Sequence, residues 1–171
     1  TTGNAAQMRQ TVAYFNRNSN LLFIIGLGFA ENCTNPNVRA FAGVCANLGV
    51  FGNTEPTALL NCIGLAKLTT SNNLHVIHND GSGTATAIDL GASFPSNTIE
   101  TDFYIFIAET VGSDIVYSVT RVNTGDTATG TITTDLPSPS TALNLGYYVV
   151  QNTGANTNTG IDFFGTNLIK Q

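Results

Sequence analysis

Apolar and β-branched residues recur along the chain in short runs, and Asn, Gly, Asp and Ser separate one run from the next. The 3.6-residue period of an amphipathic helix is almost absent. We predict strands at residues 11–17, 21–29, 38–45, 61–66, 74–78, 84–90, 99–109, 115–122, 127–134, 144–151 and 159–169. One helical turn is expected at 54–60, where Thr54 can cap it and Pro56 can occupy its first turn.

Residues that tolerate positive φ stand between the apolar runs at 79–81, 112–114 and 123–125. Such residues are typical of hairpin corners. Residues 152–160 are an Asn/Thr/Gly repeat, which is typical of an exposed loop. Because composition stays level along the chain, we expect residues 1–171 to form one domain, either a β-sandwich or a β-barrel.

Three of the predicted strands, at 21–29, 99–109 and 144–151, are apolar on both faces. In the first of them Phe23 and Ile25 alternate with Leu22 and Ile24. In an α/β protein helices would cover the second face, but this chain has none to spare. We therefore expect further copies of the chain to cover these faces in a homo-oligomer. The alternative is that long loops of the same domain cover them.

Charged residues make up only 10% of the chain, against about 25% in ordinary globular domains. Six basic and eleven acidic residues give a net charge of −5, and the basic residues are scattered. This distribution disfavours nucleic-acid binding. The longest apolar run, 21–30, is about half of the roughly 20 residues that a membrane span needs, so membrane insertion is not expected. The chain begins at Thr1 without Met, which we interpret as a processed or excised segment.

The three cysteines, Cys33, Cys45 and Cys62, are an odd set, so at least one stays unpaired unless it bridges two chains. Buried thiols that act as small hydrophobic side chains are the favoured interpretation. A Cys33–Cys45 disulfide is the alternative. Reactive cysteine chemistry is less favoured, because no Cys-x-x-Cys pattern is present.

The two histidines, His75 and His78, are three positions apart on one predicted strand and therefore point to opposite faces. They cannot chelate one ion within a chain, and we expect both to be structural. The segment 80–83, Asp-Gly-Ser-Gly, lacks the spaced acids of a calcium loop and the helix that follows a phosphate loop. A tight turn is expected there.

The acids that could serve as the paired carboxylates of a glycoside hydrolase are Glu100 with Asp102, which share one predicted strand face, and Asp80 with Asp89, which flank a hairpin. Acids at strand ends usually solvate turns, and no Gly-x-Ser-x-Gly elbow accompanies the histidines. Gly26-Leu27-Gly28 lacks the third glycine of a dinucleotide fingerprint and is expected to be part of a strand. No catalytic, cofactor-binding or metal-binding residue is therefore predicted, and the ligand-binding residues stay unassigned.

Aromatic rings suited to stacking on sugars are few, because the chain has no Trp. The candidates are Tyr14, Tyr104, Tyr117, Tyr147 and Tyr148, most of which are predicted to be buried. A glycan site would therefore be shallow or shared between subunits.

Several segments carry a recognisable order and spacing, at residues 39–43, 56–64, 78–84, 88–95, 117–120, 130–137 and 161–164. They include Arg-Ala-Phe-Ala-Gly at 39–43 and Ile-Asp-Leu-Gly-Ala-Ser-Phe-Pro at 88–95. From residue 38 to its end, the chain resembles a recurring module of tailed-phage virion proteins, found in tail-fibre or spike tips. The resemblance implies an all-β, antiparallel two-sheet sandwich, jelly-roll or concanavalin-like, with about ten strands and at most one short helical turn.

The same resemblance implies a non-enzymatic structural protein of the virion surface, without cofactors, that assembles as a homotrimer. It would contact other virion proteins and a glycan or receptor on the host surface. Two other roles stay open. One is a purely structural capsid decoration or fibre connector, and the other is a carbohydrate-binding module of a larger depolymerase.

Overall fold

The computed structural model describes residues 4–10, 15–29, 38–46, 49–96, 101–151 and 161–170, and the structural statements below refer to these. They contain the strands β1 (Asn4–Arg9), β2 (Leu21–Phe29), β3 (Val38–Cys45), β4 (Cys62–Lys67), β5 (Leu74–Asn79), β6 (Thr86–Asp89), β7 (Phe103–Val111), β8 (Asp114–Arg121), β9 (Asp126–Ile132), β10 (Asn144–Gln151) and β11 (Ile161–Lys170). No helix among these residues is long and apolar enough to cross a membrane.

The strands form two sheets. The first has the order β1-β10-β3-β4-β5-β6 and the second has the order β11-β2-β7-β8-β9. Every neighbouring pair is antiparallel. The predicted all-β, antiparallel two-sheet sandwich is therefore confirmed.

Most strand bounds follow the sequence pattern, and the amino-terminal part differs from it. The predicted strands 21–29, 38–45 and 144–151 coincide with β2, β3 and β10, whereas β1 was not predicted. Of the predicted strand 11–17, residues 11–14 lie outside the described residues and Arg17 begins a 3-10 turn, Arg17–Ser19. Contacts with residues distant in the sequence stabilise that turn. The Arg17 guanidinium donates to the Pro137 carbonyl at 2.7 Å and to the Ser113 carbonyl.

The helical turn expected at 54–60 is a 3-10 turn, Pro56–Ala58, with Pro56 in its first position. Glu55 rather than Thr54 is the N-cap residue, and no side chain caps the turn. Thr54 instead donates its hydroxyl to the Phe51 carbonyl. The described residues thus contain two short helical turns, where at most one was expected.

The predicted hairpin corners at 79–81, 112–114 and 123–125 are confirmed. Each contains a glycine in the left-handed region that disfavours other residues, with φ of 101° at Gly81, 62° at Gly112 and 79° at Gly125. These corners join β5 to β6, β7 to β8 and β8 to β9.

The main core lies between the two sheets, and its buried residues include one face of β2, β3, β4, β5, β7, β8 and β10. On β2 the buried set is Leu21, Phe23, Ile25 and Leu27, as the alternation predicted. Phe23 meets Phe106 edge-on, with ring centroids 5.5 Å apart. On β8 the residues Ile115, Tyr117 and Val119 are buried by the same alternation.

A second apolar cluster lies on the outer face of the first sheet, and residues 49–60, here called the cover segment, pack on it. Phe51 of this segment stacks on Tyr148 with ring centroids 4.8 Å apart. Its backbone N–H donates to the Gln7 side chain at 2.9 Å, and the Ala85 N–H donates to the Thr57 carbonyl at 2.8 Å. The segment therefore spans the sheet from β1 towards β6.

The cover segment also determines what buries the outer face of β10. The outward residues Tyr148 and Val150 are buried by the chain's own cover segment, so the expectation that sister subunits cover this strand is wrong. The alternative, a loop of the same domain, holds there.

A row of three glycines makes room for the aromatic side chains under the cover segment. Gly146, Gly43 and Gly64 are register partners across β10, β3 and β4. A Cβ on Gly64 would lie 2.5 Å from the Phe41 ring, and one on Gly146 would lie 2.8 Å from the Phe51 ring. Only glycine leaves space for both rings against the sheet.

The outer face of the second sheet differs from that of the first. Leu22 and Ile24 of β2 and Phe103, Ile105 and Ile107 of β7 are only half-buried. Ile24 and Ile107 are direct register partners, so the five side chains form one continuous apolar surface, here called the β2–β7 face.

Candidate functional site

A cleft opens at the β1 edge of the first sheet, on the side that faces the second sheet. It is lined by Met8, Gln10, Leu145 and Tyr147 and has a volume of about 160 Å³. Drug-sized ligands usually occupy cavities of about 300–1,000 Å³. The cleft therefore suits one sugar ring or a similarly small group.

Pairing of β1 with β10 builds the walls of the cleft. Met8 is the register partner of Tyr147, and the Gln10 N–H continues the ladder by donating to the Leu145 carbonyl at 2.9 Å. The Gln10 side-chain oxygen accepts from the Leu145 N–H at 3.3 Å, which fixes the amide against the strand. Since β1 is the edge strand of its sheet, Met8 stays 53% exposed.

Tyr147 is half-buried, whereas Tyr104, Tyr117 and Tyr148 are at most 6% exposed. Tyr14 lies outside the described residues. Tyr147 is therefore the one described tyrosine that presents ring surface to solvent. The sequence named all five tyrosines as candidates for a glycan site, shallow or shared between subunits, and did not single out Tyr147.

The cleft combines an aromatic ring, an amide and two flexible apolar side chains. Aromatic rings stack on the apolar faces of other rings, and an amide group supplies both a donor and an acceptor. These uncharged side chains can hold a neutral, hydroxyl-rich ligand. Met8 and Gln10 were missed because β1 was not predicted, and their segment lacks the β-branched residues that mark a strand.

His75 lies on the outer face of the first sheet and is buried. Its Nδ1 lies 3.1 Å from the Asn73 carbonyl oxygen, and its Nε2 lies 4.0 Å from Asp89. The amide N–H of Gly91 lowers the pKa of Asp89 below its usual range, with further contributions from Asn73 and His75 that outweigh burial.

His78 points to the opposite face, as the strand geometry predicted. Its Nδ1 lies 2.9 Å from the Asp135 carbonyl oxygen and 3.7 Å from the carboxylate of the same residue. Burial acts to raise the pKa of Asp135, but hydrogen bonds from Thr86 and the Asp80 amide, together with His78, bring it below its ordinary value. The two histidines thus serve two separate polar clusters.

The predicted tight turn at 80–83 is confirmed. The Asn79 side chain accepts from the Gly81 N–H at 2.6 Å, and Asp80 accepts from the Ser82 N–H at 3.0 Å. Gly26-Leu27-Gly28 lies within β2, also as predicted.

Of the two candidate acid pairs, only Asp80 with Asp89 lies wholly within the described residues, and its members are not brought together. Glu100 lies outside the described residues. Asp102 forms a two-pronged ion pair with Arg121, at 2.7 Å to Nε and 2.8 Å to Nη2, and this contact raises the pKa of Arg121. Asp80 and Asp89 belong to different clusters and have no hydrogen-bond partner in common.

Cys45 and Cys62 are buried thiols, which agrees with the favoured interpretation, and Cys33 lies outside the described residues. Burial raises the pKa of the Cys62 thiol far above its usual range, and neighbouring Cys45 and Asp135 add to the effect. Within the described ranges no group of three or more His, Cys, Asp or Glu side chains is placed to hold a metal ion.

No protein family and no curated protein matches the sequence. By structure the chain is similar to a legume lectin-like domain from Entamoeba histolytica, with a TM-score of 0.62, 10% identity and coverage of 100% of this chain and 81% of that one. It is also similar to an alginate lyase from Pseudomonas aeruginosa, with a TM-score of 0.59, 10% identity and coverage of 97% and 74%.

A third similar structure is the CBM2 module of the evolved Dit protein of Lactobacillus casei BL23 phage J-1. It has a TM-score of 0.50 and 9% identity, and the match covers 96% of this chain and 67% of that one. These likenesses define the class of fold as a lectin-like, concanavalin-type β-sandwich. This fold hosts many functions, so function must be argued from the site.

Proposed function

We propose that this chain is a glycan-binding module on the surface of a virus particle, and that the cleft around Tyr147 contacts the sugar. The observation that carries the proposal is the half-buried Tyr147 beside the Gln10 amide in an open cleft. The other described tyrosines, Tyr104, Tyr117 and Tyr148, are buried, whereas Tyr147 is partly exposed to solvent.

The low charge of the chain supports a neutral ligand. Among the described residues that line the cleft, the phenol of Tyr147 is the one ionisable group, and charged residues make up only 10% of the chain. Recognition would rest on ring stacking and on hydrogen bonds to the amide, which suits uncharged hexoses better than sulfated or phosphorylated sugars.

The placement on a virion rests on two supports. One is the resemblance of residues 38–171 to tail-fibre and spike-tip modules, and the other is the structural likeness to a phage J-1 module. That module is named as a CBM, a class that binds carbohydrate. We propose the tip of a fibre or spike, in contact with host-surface glycans, as the location.

The β2–β7 face supports assembly into a homo-oligomer, and we propose a trimer. Four aliphatic side chains are half-buried on this face, namely Leu22, Ile24, Ile105 and Ile107. At the far edge of the same face, β9 carries threonines instead. A continuous apolar surface of this kind marks an interaction site on a soluble protein. The Tyr147 cleft lies on the other sheet and would stay accessible in the trimer.

Binding to a glycan array tests the function. The wild-type chain should bind neutral glycans, and Tyr147→Ala should lose about fivefold or more in affinity, because removal of a stacking ring costs about 1 kcal/mol or more. Tyr147→Phe keeps the ring and should retain most of the binding. Val122→Ala, at a residue 48% exposed after β8, is the control for a neutral surface change.

Two results would reject the proposal. One is no binding to any glycan by the assembled protein at high concentration, which would favour the connector or decoration role. The other is binding that Tyr147→Ala leaves unchanged, which would place the sugar elsewhere.

A polysaccharide lyase is a second candidate, because an alginate lyase shares the fold. Among the described residues the histidines do not favour it, since His75 and His78 are buried and each contacts a backbone carbonyl and a carboxylate. Incubation with alginate should therefore leave the polymer length unchanged. Accumulation of unsaturated oligosaccharides would favour the lyase.

A further inference from the structure

Two thiols lie side by side on neighbouring strands of the first sheet, on the face that the cover segment packs against. Cys45 of β3 is the direct register partner of Cys62 of β4, and both side chains are 0% exposed within the same apolar cluster. The Cys62 thiol donates to the Leu59 carbonyl of the cover segment at 3.6 Å. Their surroundings also include Asn144, the register partner of Cys45 on its other side.

The hydrogen bonds next to the pair define its geometry. The Ala46 N–H donates to the Asn61 carbonyl at 3.0 Å, which makes 46 and 61 the hydrogen-bonded pair and 45 and 62 the non-hydrogen-bonded pair. In such pairs the Cα atoms are about 4.5 Å apart and the side chains are closest. A disulfide needs Cα atoms about 4.4–6.8 Å apart, so this pair can be bridged with little backbone movement.

We infer that Cys45 and Cys62 are a cross-strand dithiol that a small-molecule disulfide, such as oxidised glutathione, converts to a disulfide. The two residues flank the cover segment at both of its ends, since residues 46–61 lie between them in the chain. Closing the bridge would tie the cover segment to the sheet in a covalent loop. The inference is independent of glycan binding.

The reaction takes two exchange steps. One cysteine loses its proton and attacks oxidised glutathione, which forms a mixed disulfide and releases one glutathione thiolate. The second cysteine then loses its proton and attacks the protein sulfur, which forms the Cys45–Cys62 bond and releases the second glutathione. The pair is oxidised by two electrons, and one oxidised glutathione becomes two reduced molecules.

Both steps require the cover segment to open. The thiols are fully buried, and thiolate formation is disfavoured there because the pKa of Cys62 is raised. Oxidation should therefore be slow in the native protein and faster in urea concentrations below the unfolding transition.

The test uses the full chain with Cys33→Ser, so that only the pair can react. After refolding in a glutathione redox buffer, intact-mass measurement should show the loss of two hydrogens, and peptide mapping should join the peptides of Cys45 and Cys62. Closing a loop of this length should raise the folded-to-unfolded ratio about a hundredfold, measured by urea unfolding with and without reductant. Peptide mapping of the wild-type chain should show the same linkage.

Cys33→Ser/Cys62→Ser is the matched control and should give only a glutathione adduct. The inference is overturned if the refolded protein keeps two thiols or carries two glutathiones. It is also overturned if the bridge forms and lowers the urea midpoint, because the native pair would then be too far apart for a disulfide.

Discussion

Phe51→Ala tests whether the cover segment belongs to the folded core. Phe51 is 2% exposed and stacks on Tyr148 at 4.8 Å, with Phe41 at 6.4 Å. Its ring also fills the space above Gly146, where any Cβ would clash with it. Removing the ring therefore leaves a cavity beside Tyr148 and Phe41.

The magnitude follows from burial. A buried Phe→Ala change costs about 3–5 kcal/mol in the free energy of unfolding, and lost aromatic pairing contributes about 0.5–1.5 kcal/mol of it. For a chain of 171 residues this corresponds to a fall in Tm of about 10 °C. The variant should also bind more of a hydrophobic dye, since the outer face of the first sheet is apolar.

Urea unfolding followed by circular dichroism measures the change. Val50→Ala is the matched control. The Val50 side chain, next to Phe51 in the chain, is 68% exposed, so its truncation should cost no more than about 0.5 kcal/mol. A cost below about 1 kcal/mol for Phe51→Ala would refute the reasoning. The cover segment would then be detached in solution, and another chain would have to protect Tyr148 and Val150.

Two further predictions concern charge and assembly. The pKa of Asp135 is lower in the folded chain than in an unfolded one, so its carboxylate stabilises the fold above about pH 4 and this contribution is lost as the pH falls through the folded pKa. Asp135→Asn should therefore flatten the stability loss below pH 4 in acid titrations of urea midpoints, and a slope equal to the wild type would contradict this. Sedimentation should give the mass of a trimer for the wild type and of a single copy for Ile24→Asp, which places a charge on the β2–β7 face; a wild-type single copy at high concentration would exclude the trimer.

The sequence predicted the parts of the fold that depend on local alternation and turn chemistry. The buried residues of β2 and β8 follow a period of two, and the hairpin corners follow from Asn, Asp and Gly. These signals are local, because a strand face and a turn are each specified within a few residues.

The parts that sequence reasoning missed depend on contacts between distant residues. β1 is a strand because it pairs with β10, and its own residues are not strong strand formers. The turn at Arg17 is held by carbonyls of Ser113 and Pro137. The cover segment could not be assigned to a sheet face either, since its position follows from Phe51 fitting over the glycine row.

The two faces of β10 link stability to the proposed binding. Tyr147 lines the cleft, and the next residue, Tyr148, anchors the cover segment on the opposite face. Because successive side chains of a strand point to opposite faces, a shift of β10 on one face also moves the side chains on the other. The Gln7 side chain that holds Phe51 also lies on β1, one residue before Met8 of the cleft wall. Loosening the cover segment should therefore widen the cleft, so Phe51→Ala should weaken glycan binding although Phe51 does not line the site.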